Sequence, residues 1–429
     1  MISKLYSVSK NNLPKMLISI ADDINGLGGK CYLVGGQVRD QLLGRVDGRD
    51  FDIEVYHINH KQLLAVLKKY GKPNLVGKSF GVYHLVRHGI EFDFSFPRTE
   101  SKIGVGHRAF AVETDPNLDF KTAASRRDFT INAMGLELPS LELKDEFNGK
   151  KDLENKILRH IGPAFSEDSL RVLRGVQFAA RFQLNVHPDT IKICREQDLR
   201  DLSKERLWEE FCKWMRAIKP SMGLKAFVEM DLTKFFSQIK PLTGSWEKLG
   251  SLLDKCVAED LENDYDKLIL MFSALLAGTS LQGVEEFLRS ITQEQKMLKS
   301  IPALWVSGRD LMTQMVAQKD FSDGDLRRFS LRSPMFLMLF YAQCLAEVKY
   351  PNKTFAWEEL QKRVQILEIM RVAPTPFLTG KALQELGFKP GRHFGEIIAQ
   401  SFEKQLDGEI NSIEDAKNWV RNTIPSVNS

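Results

Sequence analysis

The chain has 429 residues, 43% hydrophobic and 27% charged, which describes a soluble globular protein with enough length for a core and for two or more domains. Its formal net charge of +4 leaves room for one basic face without proving a nucleic-acid partner. Five cysteines without C-x-x-C spacing argue against a zinc site or a disulfide framework and fit buried thiols in a reducing compartment.

The opening residues, MISKLYSVSKNNLPKML, lack an apolar signal-peptide core, and the longest apolar runs, Leu268 to Ala277 and Met335 to Ala342, are too short to span a bilayer. A cytoplasmic protein with no membrane contact is therefore expected.

Leu13 to Ile24 forms an amphipathic helix pattern leading into Lys30 to Tyr56, KCYLVGGQVRDQLLGRVDGRDFDIEVY. That stretch predicts a short apolar strand, a double-glycine turn, a helix closed by Gly44, and a second strand. In the second strand, period-2 alternation puts Phe51, Ile53 and Val55 on one face and Asp50, Asp52 and Glu54 on the other. Two carboxylates thus point the same way, across from a turn. Gly35 and Gly36 allow close backbone approach to a phosphate, with the N–H groups of the next helix behind them. Magnesium takes hard oxygen ligands, so one or two carboxylates plus substrate phosphates suffice. D-x-D alone is a routine product of strand alternation; G-G-x-V-R-D-x-L-L-G followed by D-x-D favours metal-assisted nucleotidyl transfer.

Lys61 to Tyr70 is a further helix, and Val82 to Arg87 and Gly89 to Phe96 pair as strands around His88 and Gly89. In the second of these, Asp93 is equally a candidate third metal ligand and a solvated surface acid. Pro97 to Ser125 breaks into a long polar loop, the kind that forms lids or binding loops. Arg126, Arg127 and Asp128 follow, with FTINAMGLEL behind them. Guanidinium suits phosphate and carboxylate suits a ribose hydroxyl, although R-R-D by itself is more often a solvated cluster. LELPSLELKDEFNG predicts a hairpin closing the sheet.

Helical periodicity dominates after about Lys150. Ser166 is the expected N-cap of SEDSLRVLRGVQFAARF, in which Glu167, Arg171 and Arg174 fall at i, i+4 and i+7, with Asp168 beside them. An i,i+4 ion pair worth roughly 0.2 to 0.5 kcal/mol explains this spacing plainly; a carboxylate and a guanidinium addressing the Watson–Crick edge of a base is the sharper alternative. Ser203 caps a third helix, SKERLWEEFCKWM, carrying Glu205 and Arg206. Pro220 to Lys349 shows only apolar helical stripes. Of the eight histidines only His393 lies beyond His187, which argues against a His-Asp metal hydrolase site in this half. Near the end, LTGKALQELGFKPGRHFG offers either a helix C-cap with a proline stop or a clamp for a phosphate backbone.

Taken together, these pieces resemble the class II tRNA nucleotidyltransferases and their relatives the bacterial poly(A) polymerases, within the DNA polymerase beta-like nucleotidyltransferase superfamily. GGQVRDQLLG with DFD resembles the family's metal and triphosphate motif, RRDFTINAM its ribose-selecting motif, and DEFNGKKDL its flexible segment between head and neck. EDSLRVLR is similar to its amino-acid template for the incoming base, and KERLWEEF to the supporting helix. The resemblance implies an α+β architecture with a seahorse-like outline. It comprises a catalytic head with a mixed sheet over 1–150, an all-α neck with the template over 151–220, a helical body over 221–349 and a tRNA-contacting tail over 350–429.

The implied activity is addition of C, C and A to the tRNA 3′ end from CTP and ATP, without a nucleic-acid template and with two Mg2+ ions. By resemblance, Asp50 and Asp52 hold the metals, with Asp93 a candidate third ligand, and Gly35, Gly36 and Arg39 steady the triphosphate. Arg127, Asp128 and Asn132 select the ribose. Asp168, Arg171 and Arg174 serve the base template, with Glu167 holding Arg171, while Glu205 and Arg206 support the helix. Lys381, Lys389 and Arg392 are tail candidates for tRNA. The implied partners are the tRNA acceptor stem and elbow, ATP and CTP, with no obligate protein partner.

Two rivals share the head. Poly(A) polymerases typically carry R-R-F-x-L where this chain has Gly77-Lys78-Ser79-Phe80-Gly81. An A-adding-only enzyme stays open, whereas the undeleted loop after Phe96, with Arg98, Glu100, Lys102 and a G-x-G-H-R run, argues against a CC-only one. An inactive RNA-binding module is the alternative of a different class, disfavoured by the intact Asp50 and Asp52.

Overall fold

The computed structural model describes residues 5–46, 48–76, 81–102 and 110–424; the stretch Gly77 to Phe80 and the G-x-G-H-R run lie outside them. The chain divides into two compact units, one of Met1–Trp214 with Met222–Phe235, the other of Met215–Ser221 with Phe236–Ser429.

The first unit begins with α1 (Lys15–Gly26), β1 (Lys30–Val34), α2 (Gly36–Leu42), β2 (Asp50–Tyr56) and α3 (His60–Lys68). Next come β3 (Asn74–Val76), β4 (Val82–Arg87), β5 (Ile90–Ser95), β6 (Arg98–Lys102), β7 (Phe110–Thr114) and α4 (Phe120–Ala124), then β8 (Gly135–Leu138) and β9 (Leu143–Lys144). Seven strands form one sheet in the order β3-β4-β5-β2-β1-β8-β9. It is mixed because β2 and β5 run parallel while the other pairs are antiparallel. The expected hairpin closes one edge as β8 and β9.

Alternation decides the two faces. Phe51, Ile53 and Val55 are buried with Phe92 and Phe94 from β5, and the Phe51 and Phe92 rings stack with centroids 5.6 Å apart. Each such side chain contributes about 1.5 to 3 kcal/mol by leaving water, so a slip of one residue in β2 would bury its acids at a prohibitive cost. The opposite face carries Asp50, Asp52 and Glu54.

Two expectations need correction. The stretch expected as a loop from Pro97 to Ser125 holds a separate antiparallel ribbon of β6 and β7, followed by α4 with Asp119 capping it through Thr122 N. RTESK has no apolar alternation; backbone pairing, which composition does not report, makes it a strand. The helix expected from Ser166 starts later. Pro163 opens a 3-10 turn ending at Glu167, Asp168 is extended, and α6 (Leu170–Phe182) begins only where the Asp168 carboxylate accepts from Leu170 N at 3.1 Å. Between β9 and α6 lies α5 (Gly149–Glu154); after α6 come α7 (Pro188–Arg195) and α8 (Lys204–Met215). Ser203 caps α8 as expected, its hydroxyl accepting from Arg206 N.

The second unit is helical among the described residues. Its core includes the fully buried Tyr341, whose hydroxyl donates to Ser273 O at 3.0 Å. The segment holding Lys381 also folds as the expected capped helix: Thr379 accepts from Ala382 N, and Gly387 follows with φ of 90°. All five cysteines are buried and unbridged. No helix among the described residues is long and apolar enough to cross a membrane.

Candidate active site

The acidic face of the sheet forms the floor of a cleft within the first unit. One hollow of about 790 Å3 is lined by Gly35, Asp52, Glu54, Asp93, Arg127, Glu167, Asp168, Arg171 and Arg206, among others. A second, of about 650 Å3, shares Gly35, Asp52, Arg127, Asp168, Arg171 and Arg206 and adds Gly36, Arg39, Asp128, Asn132, Arg174, Arg181 and Lys213. Most residues singled out by sequence therefore meet in one place.

Strand register builds the acidic row. Asp50 stands opposite Glu91, Asp52 opposite Asp93 and Glu54 opposite Ser95 across the parallel β2–β5 pair. Burial, then the nearby Asp50 and Asp93 charges, pushes the Asp52 carboxyl up to about 6. Asp50 is raised as well, by burial and by Asp93 and Glu91. Crowded oxygen ligands with uncompensated charge suit a hard divalent cation. Among the described residues no group of three or more His, Cys, Asp or Glu side chains is placed to hold a metal ion. Asp93 gives one oxygen to His84 Nδ1 at 2.7 Å.

Gly35 reaches the cleft with φ 70° and ψ −138°, a conformation open to glycine and costly for other residues. A Cβ there would stand 3.8 Å from Asp52 Oδ2, so this turn lies directly over the carboxylates. Arg39 is buried and already engaged. It bonds Asp40 and Asn132 and lies with its guanidinium carbon 4.1 Å from the Phe182 ring centre. Asn132 in turn donates to Asp128 at 2.9 Å, and Arg174 donates to the other Asp128 oxygen at 2.8 Å. Arg39, Asn132, Asp128 and Arg174 thus form a continuous chain from the glycine turn to α6. Burial works to raise Asp128, but Arg174, Asn132 and the Phe129 N–H hold it below the usual carboxylate range.

Arg127 is fixed by Glu54 at 2.8 Å, a pairing legible from the period-2 face that Glu54 shares with the aspartates. Arg174 thus enters the site through Asp128.

The expected tie from Glu167 to Arg171 is replaced. Glu167 lies on the 3-10 turn rather than on α6 and takes Arg126 at 2.6 Å, whereas Arg171 donates to the main-chain oxygens of Ala164 at 2.6 Å and Arg126 at 2.7 Å. Asp168 accepts from Arg206 at 2.8 Å. Glu205 is exposed on the first turn of α8, and of the expected pair only Arg206 reaches Asp168. Sequence reasoning missed Arg181, one α-helical repeat beyond Arg174, and Lys213, which pairs with the buried Glu210 at 2.7 Å. Lys381, Lys389 and Arg392 are exposed on the second unit.

The family described as "Poly A polymerase head domain" matches residues 31–159, which span the acidic sheet and the Arg127–Asp128 segment. The "Multifunctional CCA protein" of Xanthomonas oryzae pv. oryzae is 34% identical over 293 residues, covering 64% of this chain and 70% of that protein. The chain belongs to the CCA-adding nucleotidyltransferase family. A second member, from Stenotrophomonas maltophilia, is 35% identical over 294 residues, again with 64% and 70% covered. The fold agrees with solved members of this CCA-adding family. The Bacillus stearothermophilus CCA-adding enzyme in complex with CTP superposes with a TM-score of 0.69 at 22% identity over 94% of this chain and 96% of that one. The Thermotoga maritima enzyme complexed with tRNA gives 0.66 at 19% over 97% and 98%.

Proposed function

We infer that this enzyme adds C, C and A to the 3′ end of tRNA, choosing CTP and ATP with protein side chains in place of a nucleic-acid template. The observation that carries the reading is the convergence of Asp52 with Asp168 and Arg171 on one cleft, with Asp50 two residues before Asp52 on β2, in a chain that is 34% identical to a multifunctional CCA protein.

Two Mg2+ ions held by Asp50 and Asp52, with Asp93 as a further oxygen donor, would lower the pKa of the attacking hydroxyl and neutralise charge on the phosphates. In the transfer itself, the terminal ribose 3′-oxygen bonds to the α-phosphorus, the bond from that phosphorus to pyrophosphate breaks, and the 3′-hydroxyl loses its proton. The Gly35 backbone, with Gly36 behind it, approaches the triphosphate, and Arg39 holds that turn in shape through Asn132. Arg127, fixed by Glu54, and Asp128, fixed by Arg174, address the ribose. Glu167 acts on the template indirectly, by pinning Arg126, whose carbonyl receives Arg171.

Base choice follows from donor and acceptor patterns. Cytosine and adenine both present an exocyclic amine beside an unprotonated ring nitrogen; Asp168 accepts from the first and Arg171 donates to the second. Uracil and guanine present a carbonyl and a ring N–H, which reverses both signs. Arg171 donates to the main-chain oxygens of Ala164 and Arg126, so the side chain is held in place beside Asp168 in the cleft. The head, neck, body and tail division with boundaries near 150, 220 and 349 remains our functional partition, with Lys381, Lys389 and Arg392 as tRNA contacts.

The test supplies one labelled nucleotide at a time to tRNA lacking CCA and to tRNA ending in CC. CTP on the first and ATP on the second should be incorporated, and GTP and UTP on neither. Incorporation of ATP alone would favour an A-adding enzyme, long A tails a poly(A) polymerase, and no incorporation an inactive RNA-binding protein.

A further inference from the structure

Beyond the aspartates themselves, the acidic row continues into His84, outside the motifs singled out in the sequence. His84 on β4 stands directly opposite Asp93 on β5, and Asp93 stands directly opposite Asp52 on β2. Asp52, Asp93 and His84 therefore lie in one line across three neighbouring strands, on the same face of the sheet. The imidazole Nδ1 is 2.7 Å from Asp93 Oδ1. A carboxylate only accepts, so Nδ1 carries the proton and donates. The other ring nitrogen is 4.0 Å from Glu91 Oε2, and Glu91 stands opposite Asp50.

We propose that His84 is a positioning residue for metal binding: by holding one oxygen of Asp93, it sets the rotamer that turns the other oxygen toward the cation site beside Asp52. This rests on the reading of Asp93 as a metal carboxylate. Without the imidazole, Asp93 would be an acid with 36% of its side chain exposed, free to turn toward water and away from the other carboxylates that crowd it. Partners that orient a ligating carboxylate typically alter metal affinity by about 10- to 100-fold when removed. If the hydrogen bond orients Asp93, loss of His84 weakens cation binding; if it only occupies an acceptor oxygen, loss of His84 leaves binding unchanged or tighter.

The experiment measures Mn2+ binding to the full chain without nucleotide, by the electron paramagnetic resonance signal of the free ion, together with kcat and KM for CTP. His84→Leu removes the donor; His84→Asn keeps an N–H close to the position of Nδ1. Asp93→Asn and the His84→Leu/Asp93→Asn double variant complete the cycle. The expected result is Mn2+ affinity reduced about 10-fold or more in His84→Leu, kcat lowered with KM for CTP little changed, most of the loss recovered in His84→Asn, and no added loss in the double variant over Asp93→Asn. Wild-type or tighter Mn2+ binding in His84→Leu, with Asp93→Asn impaired, would overturn the role of His84 alone. An equal loss in His84→Leu and His84→Asn, or a full further loss in the double variant, would do the same. Unchanged Mn2+ binding in Asp93→Asn would overturn the metal role of Asp93, and the inference with it.

Discussion

Replacing Asp168 by asparagine is the sharpest probe of base selection because it changes charge and hydrogen-bonding sign with almost no change in shape. The native carboxylate accepts from Leu170 N at 3.1 Å and Arg206 at 2.8 Å, and a carboxylate is an acceptor only, as the exocyclic amine of a base requires. The amide has one oxygen to share among the α6 N-terminus, Arg206 and the base, and its NH2 group faces carbonyl-bearing bases favourably. Loss of one hydrogen bond to a charged acceptor corresponds to about 1.5 to 3 kcal/mol, or roughly 10- to 150-fold in relative kcat/KM. The structural part is small: the Asp168 and Arg206 side chains are 29% and 34% exposed, so their ion pair contributes under about 1 kcal/mol. Single-turnover incorporation of each nucleotide into tRNA lacking CCA reads the outcome. The preference for CTP over UTP should collapse by that factor while the melting temperature shifts little. A uniform loss for all four nucleotides, with the preference intact, would refute the assignment of Asp168 to the base edge.

Arg171→Ala should relax base choice in the same direction without weakening Mg2+ binding, because a guanidinium offers the cation no oxygen ligand; isothermal calorimetry with Mg2+ and competition between CTP and UTP separate the two. Gly35→Ala forces a side chain into φ 70° and ψ −138°, which costs about 1 to 3 kcal/mol and should lower the denaturation midpoint and raise KM for both CTP and ATP. Asp128 has a folded pKa below its unfolded value, so its stabilisation is fully present above about pH 4 and disappears as pH falls through the folded value. Asp128→Asn should therefore be less stable than wild type by about 1 to 3 kcal/mol at pH 7, with the gap narrowing as pH falls below the ordinary carboxylate range in urea titrations. A gap independent of pH would contradict that account.

Much of this site was legible because β2 obeys a period of two: Asp50, Asp52 and Glu54 could be put on one face before any coordinates. The Ser203 cap was equally local. What sequence hid was contact at a distance. Arg39 reads as a phosphate ligand, yet burial against Phe182 and the bond to Asn132 make it a brace for the turn. Glu167 and Arg171 have helical spacing, but Pro163 and the Asp168 side chain delay the helix by a turn, and i,i+4 geometry fails with it. The β6–β7 ribbon escaped because its pairing is made by main-chain groups that every residue carries. Asp128–Arg174 joins residues far apart in the chain through packing of α6, and Asp93–His84 joins residues across a hairpin through strand register.

The central claim is that one cleft adds a defined, three-nucleotide sequence and then stops. Intact mass of a tRNA lacking CCA, after incubation with this enzyme and all four nucleoside triphosphates together, tests it in one step. A single product heavier by two cytidylates and one adenylate is expected. A ladder of adenylates, a single added adenylate, or incorporated uridylate or guanylate would contradict it.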